Sequence, residues 1–259
     1  MGETKNRSFN SHMLTLHQRL RQALDLGVIR HDSEGRRWEC TNVEVQGHVV
    51  RSIASFLECI SSDLLRHQLV KRSIADMVLA LEQILSSGNE TMLDNAASVT
   101  VKLIELLGNS VFQYDVSNLV GTLSCLLSSQ RSSIASSSAI ALNCILSKIT
   151  ISNFRRHHKF WHTLEERNAV GNILCASQGY IDGNQNIECF KEMLSLLRTI
   201  MWQWPPSRYL AWNNAVVTSS LQDLCMNLES SLVAKILQVY SALGTLFTTL
   251  YEVMEPISF

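Results

Sequence analysis

Residues 115–149 read DVSNLVGTLSCLLSSQRSSIASSSAIALNCILSKI, from Asp115 to Ile149. Two apolar stripes lie in this stretch, each stepping by three and four residues, as one face of an α-helix does. Val116 to Leu127 carries the first. Ala139, Leu142, Ile145, Leu146 and Ile149 make the second. The serine-rich residues 128–138 separate them. The stretch is therefore expected to form two amphipathic helices joined by a short polar break. Neither helix can hide its stripe alone, so each needs a neighbour to pack on.

The second stripe has copies elsewhere. The same spacing fits Val50, Ile53, Phe56, Leu57 and Ile60, and again Ala97, Thr100, Leu103, Ile104 and Leu107. It returns at Ile187, Phe190, Met193, Leu194 and Leu197, and at Ser230, Val233, Ile236, Leu237 and Tyr240. Only Thr100 and Ser230 break the apolar rule. Successive copies start roughly 42 to 48 residues apart, close to the ~40–47-residue period of HEAT and armadillo arrays. Each later copy follows another amphipathic segment: Ile74 to Leu85, Val116 to Leu127, Phe160 to Leu174 and Tyr209 to Leu228. Polar or proline breaks divide them at Ser86-Ser87-Gly88-Asn89, 128–138, Gln178 to Asn186 and Pro205-Pro206. A plain helical bundle satisfies the same template, but five copies at near-constant spacing favour an array.

The expected fold is all-α, an armadillo/HEAT-like superhelical solenoid of stacked helical hairpins over residues 13–254. Residues 1–12 are expected to be a flexible N-terminus and 255–259 a C-terminal tail. Met13, Leu16, Leu20, Ala23 and Leu24 give the first helical stripe, with Gly27 as its expected C-cap. Residues 28–42 read as a polar, irregular connection turning at Asp32-Ser33-Glu34-Gly35.

Composition bounds the function. The chain of 259 residues is 46% hydrophobic and 17% charged, with a formal net charge of −1. A nucleic-acid binder needs a surplus of Lys and Arg on one face, so no nucleic-acid partner is expected. No apolar run reaches the ~18–20 residues of a membrane span. The N-terminus carries no secretory signal. Together these predict no membrane association and an intracellular location, cytoplasm or nucleus. Seven cysteines, at 40, 59, 125, 144, 175, 189 and 225, include no C-x-x-C pair. They predict neither a disulfide framework nor a zinc knuckle; Cys59, Cys125, Cys144 and Cys225, within apolar helical stretches, should act as small buried hydrophobes.

Three further segments narrow the reading: MLTLHQRLRQALDLG (13–27), RRWECTNVEVQGHVVRSIASFLECIS (36–61) and WQWPPSRYLAWNN (202–214). With residues 115–149 they resemble the N-terminal region of plant BTB/POZ domain-containing proteins that open with armadillo-type repeats. The resemblance covers about the first 245 residues and fades over Thr248 to Phe259. It implies a non-catalytic protein-interaction module of a substrate adaptor for cullin-based ubiquitination. No segment reads as a BTB/POZ domain, which mixes strands with helices. The chain is thus expected to be the repeat region alone, truncated before those domains, with a cullin as partner only where BTB domains are present elsewhere. The alternative is a general helical-repeat binding scaffold without a ubiquitin link. Leu243, Leu246, Phe247, Leu250, Tyr251, Val253 and Met254 leave the last helix apolar and uncapped, which predicts self-association.

The search for chemistry returns no catalytic, cofactor or metal site. There is no Walker A loop, G-x-S-x-G, H-E-x-x-H or dinucleotide glycine pattern. His158 and His162 share a helix face, but Arg155, Arg156 and Lys159 put positive charge where a cation would sit. Arg155, Arg156 and Trp161 are instead a candidate basic-aromatic contact for a protein partner. Trp204 and Trp212, beside Pro205-Pro206, fit either an inter-repeat corner or an interface hot spot. Peptide-clamping armadillo proteins place an Asn on the last helix of each repeat. The equivalent positions here are Ser55, Lys102, Cys144, Glu192 and Lys235. Binding through charge on Lys102, Glu192 and Lys235 is therefore expected in place of an asparagine clamp.

Overall fold

A computed structural model describes residues 14–33, 35–60, 68–87, 89–149, 158–173, 176 and 187–203. The chain divides into two compact units, Met1–Thr122 and Leu123–Phe259. The described residues are mostly helical, and the helices fall where the repeated stripes place them.

In the first unit, α1 (residues 14–24) leads into a two-stranded antiparallel hairpin, β1 (Val28–Asp32) and β2 (Gly35–Glu39). Then follow α2 (Val43–Cys59), α3 (Gln68–Ser86), α4 (Glu90–Leu107) and a 3-10 turn (Gly108–Gln113). Asn42 caps α2, its Oδ1 accepting the N–H groups of Glu44 and Val45 at 2.9 and 3.3 Å. Gly108 ends α4 in the left-handed region, φ +50°, where a side chain would strain the backbone.

The repeat is visible in the packing. Helices carrying successive copies of the template lie against each other: α2 on α4 in the first unit, and α6 (Ser132–Leu146) on α8 (Ile187–Gln203) in the second. Val50, Ile53, Phe56, Leu57 and Ile60 are buried, as are Ala97, Leu103, Ile104 and Leu107. So are Ala139, Leu142, Ile145, Leu146 and Ile149, and Phe190, Met193, Leu194 and Leu197. Each large side chain so buried stabilises by about 1.5–3 kcal/mol before the ordering entropy is charged against it. Thr100, at an apolar position, is fully buried but satisfied. Its Oγ1 donates to the Ala96 carbonyl at 2.7 Å.

In the second unit α6 starts at Ser132, inside the stretch expected to be a break. Ile134, Ala135, Ser138 and Ala139 are buried there, and packing overrides the weak helix propensity of serine. α5 (Ser117–Leu126) precedes it and α7 (His158–Glu166) follows. The single helix expected over 160–174 is interrupted. Asn168 takes φ +50° and ends α7, and helix resumes at residues 169–173. Asn172 ties this region together by donating from Nδ2 to the Ser124 carbonyl at 2.8 Å.

The hairpin corrects the all-α expectation locally. The turn at Asp32–Gly35 is where the sequence puts it, and Gly35 has φ +125°, open only to glycine. The flanking strands were expected to be irregular. They are five residues each, and in β2 Trp38 alone is fully buried, so they show almost no alternation. β2 packs on α3. Trp38 Nε1 donates to the Leu24 carbonyl at 2.8 Å. Gly27 has no left-handed φ and is not the expected αL cap. It is a glycine because the Trp38 indole lies so close that a Cβ would collide with it.

Below the hairpin, Asp76 on α3 is completely buried. Its two oxygens bind the guanidinium of Arg21 from α1 and that of Arg36 from β2, the latter at 2.6 Å. His17 Nε2 and Ser73 Oγ make a second link between α1 and α3, at 2.8 Å. Burial also corrects the cysteine expectation: Cys59 and Cys125 are exposed and Cys144 is half-buried, whereas Cys189, outside that expectation, is buried. Cys175 and Cys225, residues 1–12, the fifth template copy at 230–240, the apolar run from Leu243 to Met254 and the tail 255–259 lie outside the described residues.

This geometry sets the outcome of three stability measurements. Gly27→Ala should lower stability by about 1–3 kcal/mol in urea unfolding, because the added methyl displaces Trp38. Asp76→Ala should cost about 1.5–3 kcal/mol, since Arg36 loses its carboxylate and Arg21 keeps only Asp25. Removing the exposed Arg30–Glu39 pair, 2.7 Å apart, should cost under about 1 kcal/mol.

Candidate functional site

The positions equivalent to the asparagine ladder are on exposed or half-exposed helix faces. In the first unit Ser55 and Lys102 are exposed on α2 and α4, and Lys102 Nζ lies 3.6 Å from Glu58 Oε1. Both side chains are at least half exposed, so the pair is weak and either charge is open to a partner. In the second unit Glu192 is half-buried on α8. Burial raises its carboxyl above the usual range, Glu188 raises it further, and Lys191 pulls it back. Burial, with Glu192 beside it, pushes the Cys189 thiol up to about 11, so it remains a thiol at neutral pH and no nucleophile. Asn143, one residue before the ladder position, crosses from α6 to α8 and donates to Ser195 Oγ at 3.0 Å. It is spent on holding the two helices together.

Trp161 corrects an expectation. The ring is fully buried and meets Phe160 edge-on at 6.0 Å between centroids. It packs inward and offers nothing to a partner. Arg155, Arg156, Trp204, Trp212 and Lys235 lie outside the described residues. Among the described residues no group of three His, Cys, Asp or Glu side chains is placed to hold a metal ion. None of the described helices is long and apolar enough to cross a membrane.

Two concavities in the first unit gather polar side chains that the sequence did not single out. The larger is a groove of about 600 Å³ between α1 and α2. Leu16, Arg19, Gln22 and Leu26 form one wall; His48, Arg51, Ser52 and Ser55 form the other. The second set is spaced i, i+3, i+4, i+7, one stripe of α2 beside its buried stripe. No acidic side chain lines the groove, and neither Arg19 nor Arg51 has an ion pair among the described residues. Periodicity could have marked these residues, but a search tuned to apolar faces passes over polar ones.

The smaller cavity, about 170 Å³, lies between the hairpin, α3 and the start of α5, with Arg36, Glu82, Tyr114, Asp115 and Asn118 on an apolar floor of Val78 and Leu119. Burial raises the Glu82 carboxyl above the ordinary range; Arg37 draws it down and Asp115 pushes it up. Burial likewise raises the Tyr114 phenol. Arg36, Glu82 and the stretch from Tyr114 to Asn118 stand more than 30 residues apart in sequence, which hides the cluster from any local pattern.

Comparison with known proteins agrees with the repeat. Residues 129–246 match the sequence profile of the plant ARM repeat family. The chain is 35% identical over 244 residues, 94% of its length, to a BTB/POZ domain-containing protein of Arabidopsis thaliana. It spans only 24% of the length of that relative. No solved structure matches. The resemblance read from the three quoted segments is therefore borne out.

The raised Glu82 carboxyl has a sign that can be checked. The folded state favours its protonated form, so stability falls as pH rises from the ordinary carboxylate value of 4.5 through the raised one. Glu82→Gln should raise Tm at pH 7. The gain should vanish when melts are repeated near pH 4, where the wild-type carboxyl is already protonated.

Proposed function

We propose that this chain, a match to the plant ARM repeat and a relative of a BTB/POZ domain-containing protein, is the partner-binding repeat region of a ubiquitination adaptor. It would hold a protein on its exposed charged helix faces and catalyse nothing itself. BTB/POZ domains on the same longer protein would dock a cullin, in the cytoplasm or nucleus. The observation that carries this reading is the extent of the similarity: 94% of the chain aligns with about a quarter of the relative, the span expected of one region of a larger adaptor. The accessible charges of Glu58 and Lys102 supply a means of binding, because weakly paired charges exchange readily for a partner's.

The test is reconstitution. The chain alone, and the chain joined to the BTB/POZ portion of the Arabidopsis relative, are each mixed with purified cullin and ubiquitin-transfer components. Cullin should co-purify with the joined protein only, and a protein bound by the repeats should be ubiquitinated only in its presence. A joined protein that folds but ignores cullin would leave the chain as a binding scaffold with no place in ubiquitination.

A further inference from the structure

We propose that the groove between α1 and α2 is a docking site for a short acidic peptide segment of a protein partner, one that combines Asp or Glu side chains with an aliphatic residue. The inference rests on the reading of the chain as a protein-binding module and names the chemistry of one partner contact.

Three observations point to that occupant. The groove is lined by Arg19, His48 and Arg51, with no carboxylate among its described lining residues. Arg21, Arg30 and Lys102 of the same unit each have an acidic neighbour, Asp25, Glu39 and Glu58 in turn. Cations left without counter-charges along one concavity raise its potential and select an anionic partner. The walls are also apolar in part. Leu26 is 56% exposed and Leu16 half-buried, so an aliphatic side chain seated there is removed from water. A bare phosphate has no group to use that surface. Finally, the volume of about 600 Å³ suits a few residues of extended peptide, within the ~300–1,000 Å³ of ligand pockets.

The geometry also explains why these arginines have no ion pair among the described residues. Arg19 and Arg21 are two residues apart, so about 200° apart around α1. Arg21 turns inward to Asp76, which aims Arg19 at the groove. On α2 the buried stripe of Val49, Val50, Ile53 and Phe56 leaves His48, Arg51 and Ser55 on the open side.

The experiment measures fluorescence anisotropy of a labelled octapeptide of alternating Glu and Leu binding to the whole chain. A Lys-Leu octapeptide, a phosphoserine peptide and single-stranded DNA of equal charge are run beside it. The Glu-Leu peptide should bind best, with affinity falling as salt rises. The double variant Arg19→Glu/Arg51→Glu should weaken it by roughly ten-fold or more without moving the melting temperature, since both residues are exposed. Arg19→Gln/Arg51→Gln should fall between, and serves if charge reversal unfolds the chain. Equal binding of DNA or the phosphopeptide, no binding at all, or affinity indifferent to both variants would overturn the proposal. So would variants that abolish only self-association, which would make a second copy the occupant. Cullin docking by the joined protein should be unchanged in these variants, so failure here and failure of the adaptor reading are separate results.

Discussion

A carboxylate with no exposed surface has to be neutralised where it sits, and Asp76 sets that condition in the middle of α3. Two guanidinium groups meet it, and they come from positions that precede Asp76 by 40 and 55 residues. Arg21 fixes the rotation of α1 about its axis. Arg36 fixes the hairpin, and Trp38, two residues on and on the same face of β2, then falls against Gly27 and the Leu24 carbonyl. One buried charge thus orients both elements that cover this end of the helices. The cavity by Glu82 and the groove by Arg19 are the spaces that this orientation leaves.

The interior is built from a simpler rule. One stripe per helix is apolar, and the stripe-bearing helices one repeat apart lie on each other, α2 on α4 and α6 on α8. Burial along these stripes fixes which residues face in and leaves the opposite faces unconstrained. The exposed faces carry the charges of Lys102, Glu58 and Arg51. A protein of this kind can vary its surface without disturbing its core, which suits a binding module more than an enzyme, whose groups must converge on one pocket.

Some features were hidden for physical reasons. The hairpin has two strands of five residues, with Trp38 the one fully buried side chain in β2, so no period-2 signal arises. Trp161 looked like a surface aromatic because cations precede it, yet its ring fills the core beside Phe160. The run Ser132–Ser138 looked like a break because serine favours turns locally. Its small side chains belong to α6, which packs against α8.

By itself the sequence located most of the described helices and their buried faces, because a 3.6-residue periodicity is a local property that needs no partner to be read, and its quoted segments carry the resemblance to armadillo-type repeats. It also excluded the known catalytic and metal motifs as contiguous patterns. Only the tertiary structure decided that Gly27 yields to Trp38, that Asp76 gathers Arg21 and Arg36, and that Arg19 and Arg51 end up facing one groove. Those relations join residues tens of positions apart, and what brings them together is the requirement to satisfy a buried charge and seat a large ring, which no stretch of sequence states alone.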